Sequence, residues 1–86
     1  MVNDMEHSAL LDGLVLAVAP TAGRFQAALA AGRVRAGEVI GHVVAGATRR
    51  AEVLAPVDAA PGGLLVRDGQ QVMAGQAVVW MTRGAA

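Results

Sequence analysis

The chain has 86 residues, seven basic against seven acidic, so its net charge is zero, and 55% of it is hydrophobic. At that length one domain is the limit. With one Phe, one Trp and no Tyr its core must be built mainly from Ala and Val, and no basic block supplies the long-range field that nucleic acid or an anionic membrane requires. The absence of Cys excludes disulfides, thiolate metal sites and thiol nucleophiles, and makes a reducing, cytoplasmic location the expectation.

Residues 1–9 are mostly polar, with Asn3, Asp4, Glu6 and His7, and read as a flexible start. The domain proper is expected over 10–82, and 83–86 read as a flexible end. The longest apolar stretch, Gly13 to Ala19, is far short of the roughly 20 residues that cross a bilayer. It reads as a strand closed by Ala19-Pro20, since proline holds its predecessor extended and donates no hydrogen bond. Thr21 to Ala31 carries two signals. Its alanines, with Phe25, Ala28 and Leu29, have helical spacing, yet the matching segment later in the chain, Gly63-Leu64-Leu65-Val66-Arg67, is strand-like; a strand is expected.

Gly32-Arg33-Val34-Arg35-Ala36-Gly37-Glu38 then reads as a turn that leads into an apolar strand through Val39, Ile40, His42, Val43 and Val44. A short hairpin follows over Ala45 to Arg50, and Glu52-Val53-Leu54 runs to a second Ala-Pro pair at Ala55-Pro56. Gly62-Gly63 reads as a glycine turn, and Asp68-Gly69 as a strong turn signal flanked by Val66 and Val72. Gly75-Gln76 opens a final apolar strand that ends at Trp80 and Met81. Each half therefore repeats one order: apolar strand, Ala-Pro, glycine turn, apolar strand, a glycine-bounded valine, and another strand. Val34 and Val72, each between turns, are placed to plug the core.

The segment Val53-Leu54-Ala55-Pro56-Val57-Asp58, followed by Leu64 to Val78 with Asp68-Gly69-Gln70-Gln71-Val72 and Gly75-Gln76, resembles the C-terminal half of biotinyl/lipoyl carrier domains, such as biotin carboxyl carrier protein. The likeness covers about residues 13 to 82 and weakens in the first half, where Ala19 and Val34 lie closer together than Ala55 and Val72. It implies an all-β fold, a flattened barrel of two antiparallel sheets built from two quasi-repeats. It also implies that the hairpin between the repeats presents the position where the family attaches biotin or lipoate to lysine. Counting back from Ala55-Pro56, that position is Thr48, or Arg49 if the register slips by one.

This chain contains no lysine. The family's amide needs a primary amine that can deprotonate; Thr48 offers a hydroxyl, and the guanidinium groups of Arg49 and Arg50 are not nucleophilic amines. No cofactor is therefore expected. The composition, rich in Ala, Gly, Arg and Val, looks like that of a high-GC bacterium, where lysine is expected to drift to arginine; threonine at position 48 goes beyond such drift.

Among the remaining residues, His42 reads as a strand residue at the surface, with no second histidine or ligand set near it for phosphotransfer or metal. No Ser-His-Asp set, paired carboxylates or phosphate-binding loop is present, so the chain is not expected to be an enzyme. Thr48, Arg49 and Arg50 at the hairpin, and Trp80 at a strand end, are the candidate partner-binding residues, since Arg suits anion or protein contacts and a lone Trp suits an interface anchor. The expected role is a non-modifiable, structural or accessory protein-interaction subunit of a multienzyme complex, a biotin-dependent acyl-CoA carboxylase foremost. The expected partners are its protein subunits, with no nucleic acid and no membrane. Alternatives are a non-covalent small-ligand or anion-binding module at the hairpin, a carrier acylated or phosphorylated on Thr48, and a piece of a membrane-fusion adaptor. The short hairpin argues against the last, because those adaptors carry a long coiled coil there.

Overall fold

The computed structural model describes residues 13–29 and 32–83. The expected flexible start at 1–9, residues 84–86 of the expected flexible end, and Ala30-Ala31 of the ambiguous segment lie outside the described residues. Seven strands make up the described structure: β1 (Leu14–Val18), β2 (Gly23–Ala27), β3 (Val39–Ala45), β4 (Arg49–Leu54), β5 (Ala60–Leu64), β6 (Gln71–Val72) and β7 (Ala77–Thr82). The segment with helical spacing thus contains a strand, β2, because pairing with β3 and β6 overrides a weak local preference. No helix among the described residues is long and apolar enough to cross a membrane.

The strands form two antiparallel sheets, one ordered β1-β7-β5 and the other β4-β3-β2-β6. The architecture is the expected all-β, flattened pair of layers, but the two sheets are not joined by hydrogen bonding into a closed barrel. Between them lies a core of small side chains around one aromatic, Phe25, with Ile40, Val43, Val53, Val72, Val78, Val79 and Met81 fully enclosed. Val34 and Val72 are both buried, as their positions between turns require. Phe25 fits because position 41 is glycine: a Cβ there would meet the ring at 2.7 Å and the Gln26 carbonyl at 2.9 Å. In β7 a register shift lets consecutive Val78 and Val79 both enter the core.

The internal repeat is visible as mutual bracing. Ala19 donates its N–H to the Gln76 carbonyl at 2.9 Å and accepts from the Gly75 N–H at 2.8 Å. Ala55 makes the same pair of bonds with Glu38 and Gly37, at 2.9 and 2.8 Å. Each buried Ala-Pro alanine is therefore clamped by the glycine turn of the opposite half. Three turns share one construction: Arg35-Ala36-Gly37-Glu38, Arg67-Asp68-Gly69-Gln70 and Met73-Ala74-Gly75-Gln76. In each, the glycine has φ between 84 and 88° and the last side chain accepts a bond from the first N–H, at 2.9 to 3.0 Å.

Three readings depart from expectation: Gly23, the glycine turn of the first half, is the first residue of β2; Leu65 to Arg67, expected to continue a strand, lie beyond the end of β5; and the third is a glycine pair. Gly62-Gly63 is not a turn but lies within β5, where the register shifts opposite β7 and the indole of Trp80 covers the glycines. A glycine that makes room for an aromatic ring and a glycine that makes a turn are the same letter, so the local sequence favoured the turn.

Candidate functional site

The hairpin between the two halves is closed by the pair Ala45 and Arg49, with Gly46, Ala47 and Thr48 as its loop. Gly46 has φ 70°, the left-handed conformation that lets a three-residue loop reverse the chain. Thr48 is exposed in that loop, and Arg49 and Arg50 are exposed at the start of β4. Thr48 is thus presented to solvent on a short turn between the two halves.

Strand register brings a further arginine to this end of the sheet. Arg24, Val44 and Arg50 are aligned across β2, β3 and β4, and Gln71 of β6 continues the row beyond Arg24. Directly paired residues share a face, so these side chains lie together on the outer surface of the four-stranded sheet. One open groove of about 530 Å³ beside the hairpin is lined by Arg24, Gln26, Val44, Gly46 and Gln71, among others. A second, of about 280 Å³, is lined by Thr21, Ala45, Arg49, Arg50 and Ala51. No acidic residue lines either groove, and neither Arg24, Arg49 nor Arg50 has an ion-pair partner among the described residues. The arrangement can accept an anionic group, because arginines not already engaged by carboxylates keep their planar donor arrays available.

The floor of the first groove depends on Gly23. A Cβ at that position would approach the Val44 carbonyl oxygen to 2.5 Å and the Val43 side chain to 2.8 Å, so β2 and β3 come together there only over glycine.

His42 sits in the next row, half-buried between Gln26 and Glu52 on the same outer face, which agrees with its reading as a surface strand residue. Among the described residues no group of three or more His, Cys, Asp or Glu could hold a metal ion. Trp80 stands apart from the hairpin: it belongs to β7 in the other sheet, half-buried between Leu16 of β1 and Gly63 of β5. The sequence-derived candidates therefore divide into Thr48, Arg49 and Arg50 on one sheet and Trp80 on the other. Arg24 was not among them, because only the β2–β3 pairing carries it to the hairpin.

The outer face of β1 bears Leu14, Leu16 and Val18, which are 41%, 46% and 48% exposed. In the sequence Gly13 to Ala19 is one apolar run whose two faces look alike. The inward positions, Val15 and Ala17, pack on the core, while the outward ones form an apolar stripe alongside Trp80.

No protein-family model matches the chain, and no curated protein matches it. Solved structures share its fold. A single-chain, multi-domain long-chain acyl-CoA carboxylase superposes with a TM-score of 0.70 at 23% identity, over 86% of this chain and 7% of that one. An aspartoacylase family protein from Mesorhizobium loti superposes with a TM-score of 0.65 at 17% identity, over 83% of this chain and 23% of that one. This chain thus spans a small part of each of those proteins, and at these identities the likeness is one of fold.

Proposed function

We propose that the chain is a non-modifiable biotinyl/lipoyl-like domain serving as a structural or accessory protein-interaction subunit of a multienzyme complex, of the biotin-dependent acyl-CoA carboxylase type. The observation that carries this reading is the hairpin: a carrier-like frame presents Thr48 where the resemblance implies a lysine, and the chain has no lysine to substitute for it. Likeness of fold to a segment of an acyl-CoA carboxylase supports the choice of assembly. On this reading the chain is not itself an enzyme, holds no biotin or lipoate, acts in the cytoplasm, and works by contact through Thr48, Arg49 and Arg50 or through Trp80. Co-purification of the natively expressed protein, followed by identification of bound subunits, tests it. Recovery of carboxylase or 2-oxoacid dehydrogenase components supports the reading, and their absence under conditions that preserve such complexes overturns it.

A second reading is favoured by the two arginine-lined grooves, which contain no acidic residue among the described residues. Here the hairpin end binds an anionic group non-covalently. Calorimetric titration with biotin, lipoate and an acyl-CoA distinguishes the two readings, since heat of binding from none of the three eliminates the second.

A further inference from the structure

Among the described strands each sheet has two at its edges: β1 and β5 in one, β4 and β6 in the other. Exposed edges offer unpaired N–H and C=O groups to any extended chain, and native proteins blunt them with charge, proline or brevity. Three of the four edges here are blunted in those ways. β4 carries Arg49, Arg50 and Glu52, β5 contains Pro61, and β6 is only two residues long. β1, Leu14-Val15-Leu16-Ala17-Val18, has neither charge nor proline and is five residues long.

The direction of its free hydrogen-bonding groups follows from its pairing with β7. Arg83 donates its N–H to the carbonyl of Gly13 directly opposite, at 2.8 Å. In an antiparallel ladder hydrogen-bonded and non-hydrogen-bonded pairs alternate. Gly13 and Val15 therefore bond toward β7, and the N–H and C=O of Leu14 and Leu16 point to the open side, where no other described strand pairs with them.

We propose that β1 pairs antiparallel with β1 of a second copy of this chain, centred on Leu16, to give a symmetric dimer with a six-stranded sheet ordered β5-β7-β1-β1-β7-β5. Three features make a second copy the fitting occupant. The strand reads apolar at mirror positions about Leu16, so Leu14 of one copy meets Val18 of the other without a polar mismatch. Both members of the central Leu16 pair present their N–H and C=O to each other. The net charge of zero adds no repulsion between copies. In the dimer the two stripes of Leu14, Leu16 and Val18 become neighbours on one continuous outer face.

A five-residue strand pair buries less than the roughly 1,200 Å² of a stable complex, so association depends on concentration. Sedimentation equilibrium of the full chain from about 1 μM to 1 mM should show monomer passing to dimer, a span that brackets micromolar dissociation constants. In parallel, exchange of the Leu16 amide hydrogen should slow as concentration rises. Leu16→Glu sets two carboxylates opposite each other and should leave only monomer over the whole range. Because the side chain is half-exposed and outside the core, the thermal midpoint should stay near that of the parent. A parent chain that remains monomeric throughout, a dimer that persists in Leu16→Glu, or a Leu16 amide equally protected at all concentrations overturns the proposal. Loss of this dimer leaves the co-purification result free to stand, so the two readings fail separately.

Discussion

The indole of Trp80 lies against the backbone of Gly62 so closely that a Cβ at position 62 would sit 2.3 Å from the ring atom Cζ3. Gly63 is under the same ring with more room, its nearest approach being 3.2 Å to Nε1. Gly62→Ala must therefore displace the ring or bend β5, and is expected to cost about 1–3 kcal/mol, the usual range for overpacking. Gly63→Ala should cost less. Urea unfolding of both variants, followed by the fluorescence of this single tryptophan, checks the order and reports whether the ring has moved.

The three matched turns give a second test. Gly75→Ala forces an alanine to φ near 84° and is expected to destabilise the fold by about 1–2 kcal/mol. Gln76→Ala removes only the side-chain acceptor of the Met73 N–H, a bond at 2.9 Å open to solvent, and should cost about 0.5–1 kcal/mol. Chemical denaturation measures both, and a larger loss for Gln76→Ala than for Gly75→Ala would contradict the account of these turns.

At the hairpin, Thr48→Lys places a primary amine on the exposed loop, the position that the proposed carrier-like reading assigns to the family's lysine. Incubated with a biotin protein ligase, biotin and ATP, this variant is expected to gain the mass of one biotinyl group. Arg49→Lys should gain less, and the parent chain nothing. Intact mass spectrometry decides among them, and preferential modification at position 49 would shift the assigned register by one.

Arg49 and Arg50 are exposed and form no ion pair among the described residues, so replacing both with alanine should change stability by no more than about 0.5 kcal/mol. If the hairpin is the contact surface, the same double variant loses its co-purifying subunits, and moderate salt weakens the parent's association. Thermal unfolding alongside quantitative co-purification separates a lost contact from a lost fold.

Much of the frame was legible because it rests on residues whose local chemistry has one dominant use. Ala19-Pro20 and Ala55-Pro56 mark strand ends, Gly37, Gly69 and Gly75 mark turns, and Val34 and Val72 between them had to be buried. What escaped depends on partners remote in sequence. Gly62-Gly63 could not be told from a turn without the ring of Trp80 above it. Arg24 reaches the hairpin end only through alignment with Val44 and Arg50. The exposed side of β1 was hidden for a different reason: Leu14, Leu16 and Val18 are as apolar as the inward positions between them, so the alternation that usually separates two faces of a strand is missing.

The crossed bonding of Ala19 with Gly75-Gln76 and of Ala55 with Gly37-Glu38 also bears on how the molecule assembles. Neither half contains the clamp for its own alanine, so neither should hold its shape alone, and long-range pairing must precede any stable local structure. The covalent link through Gly46, Ala47 and Thr48 supplies none of those clamps. A chain severed within that loop should then be recoverable as two fragments that are unstructured apart and fold on mixing, a complementation in which each piece serves as the template of the other.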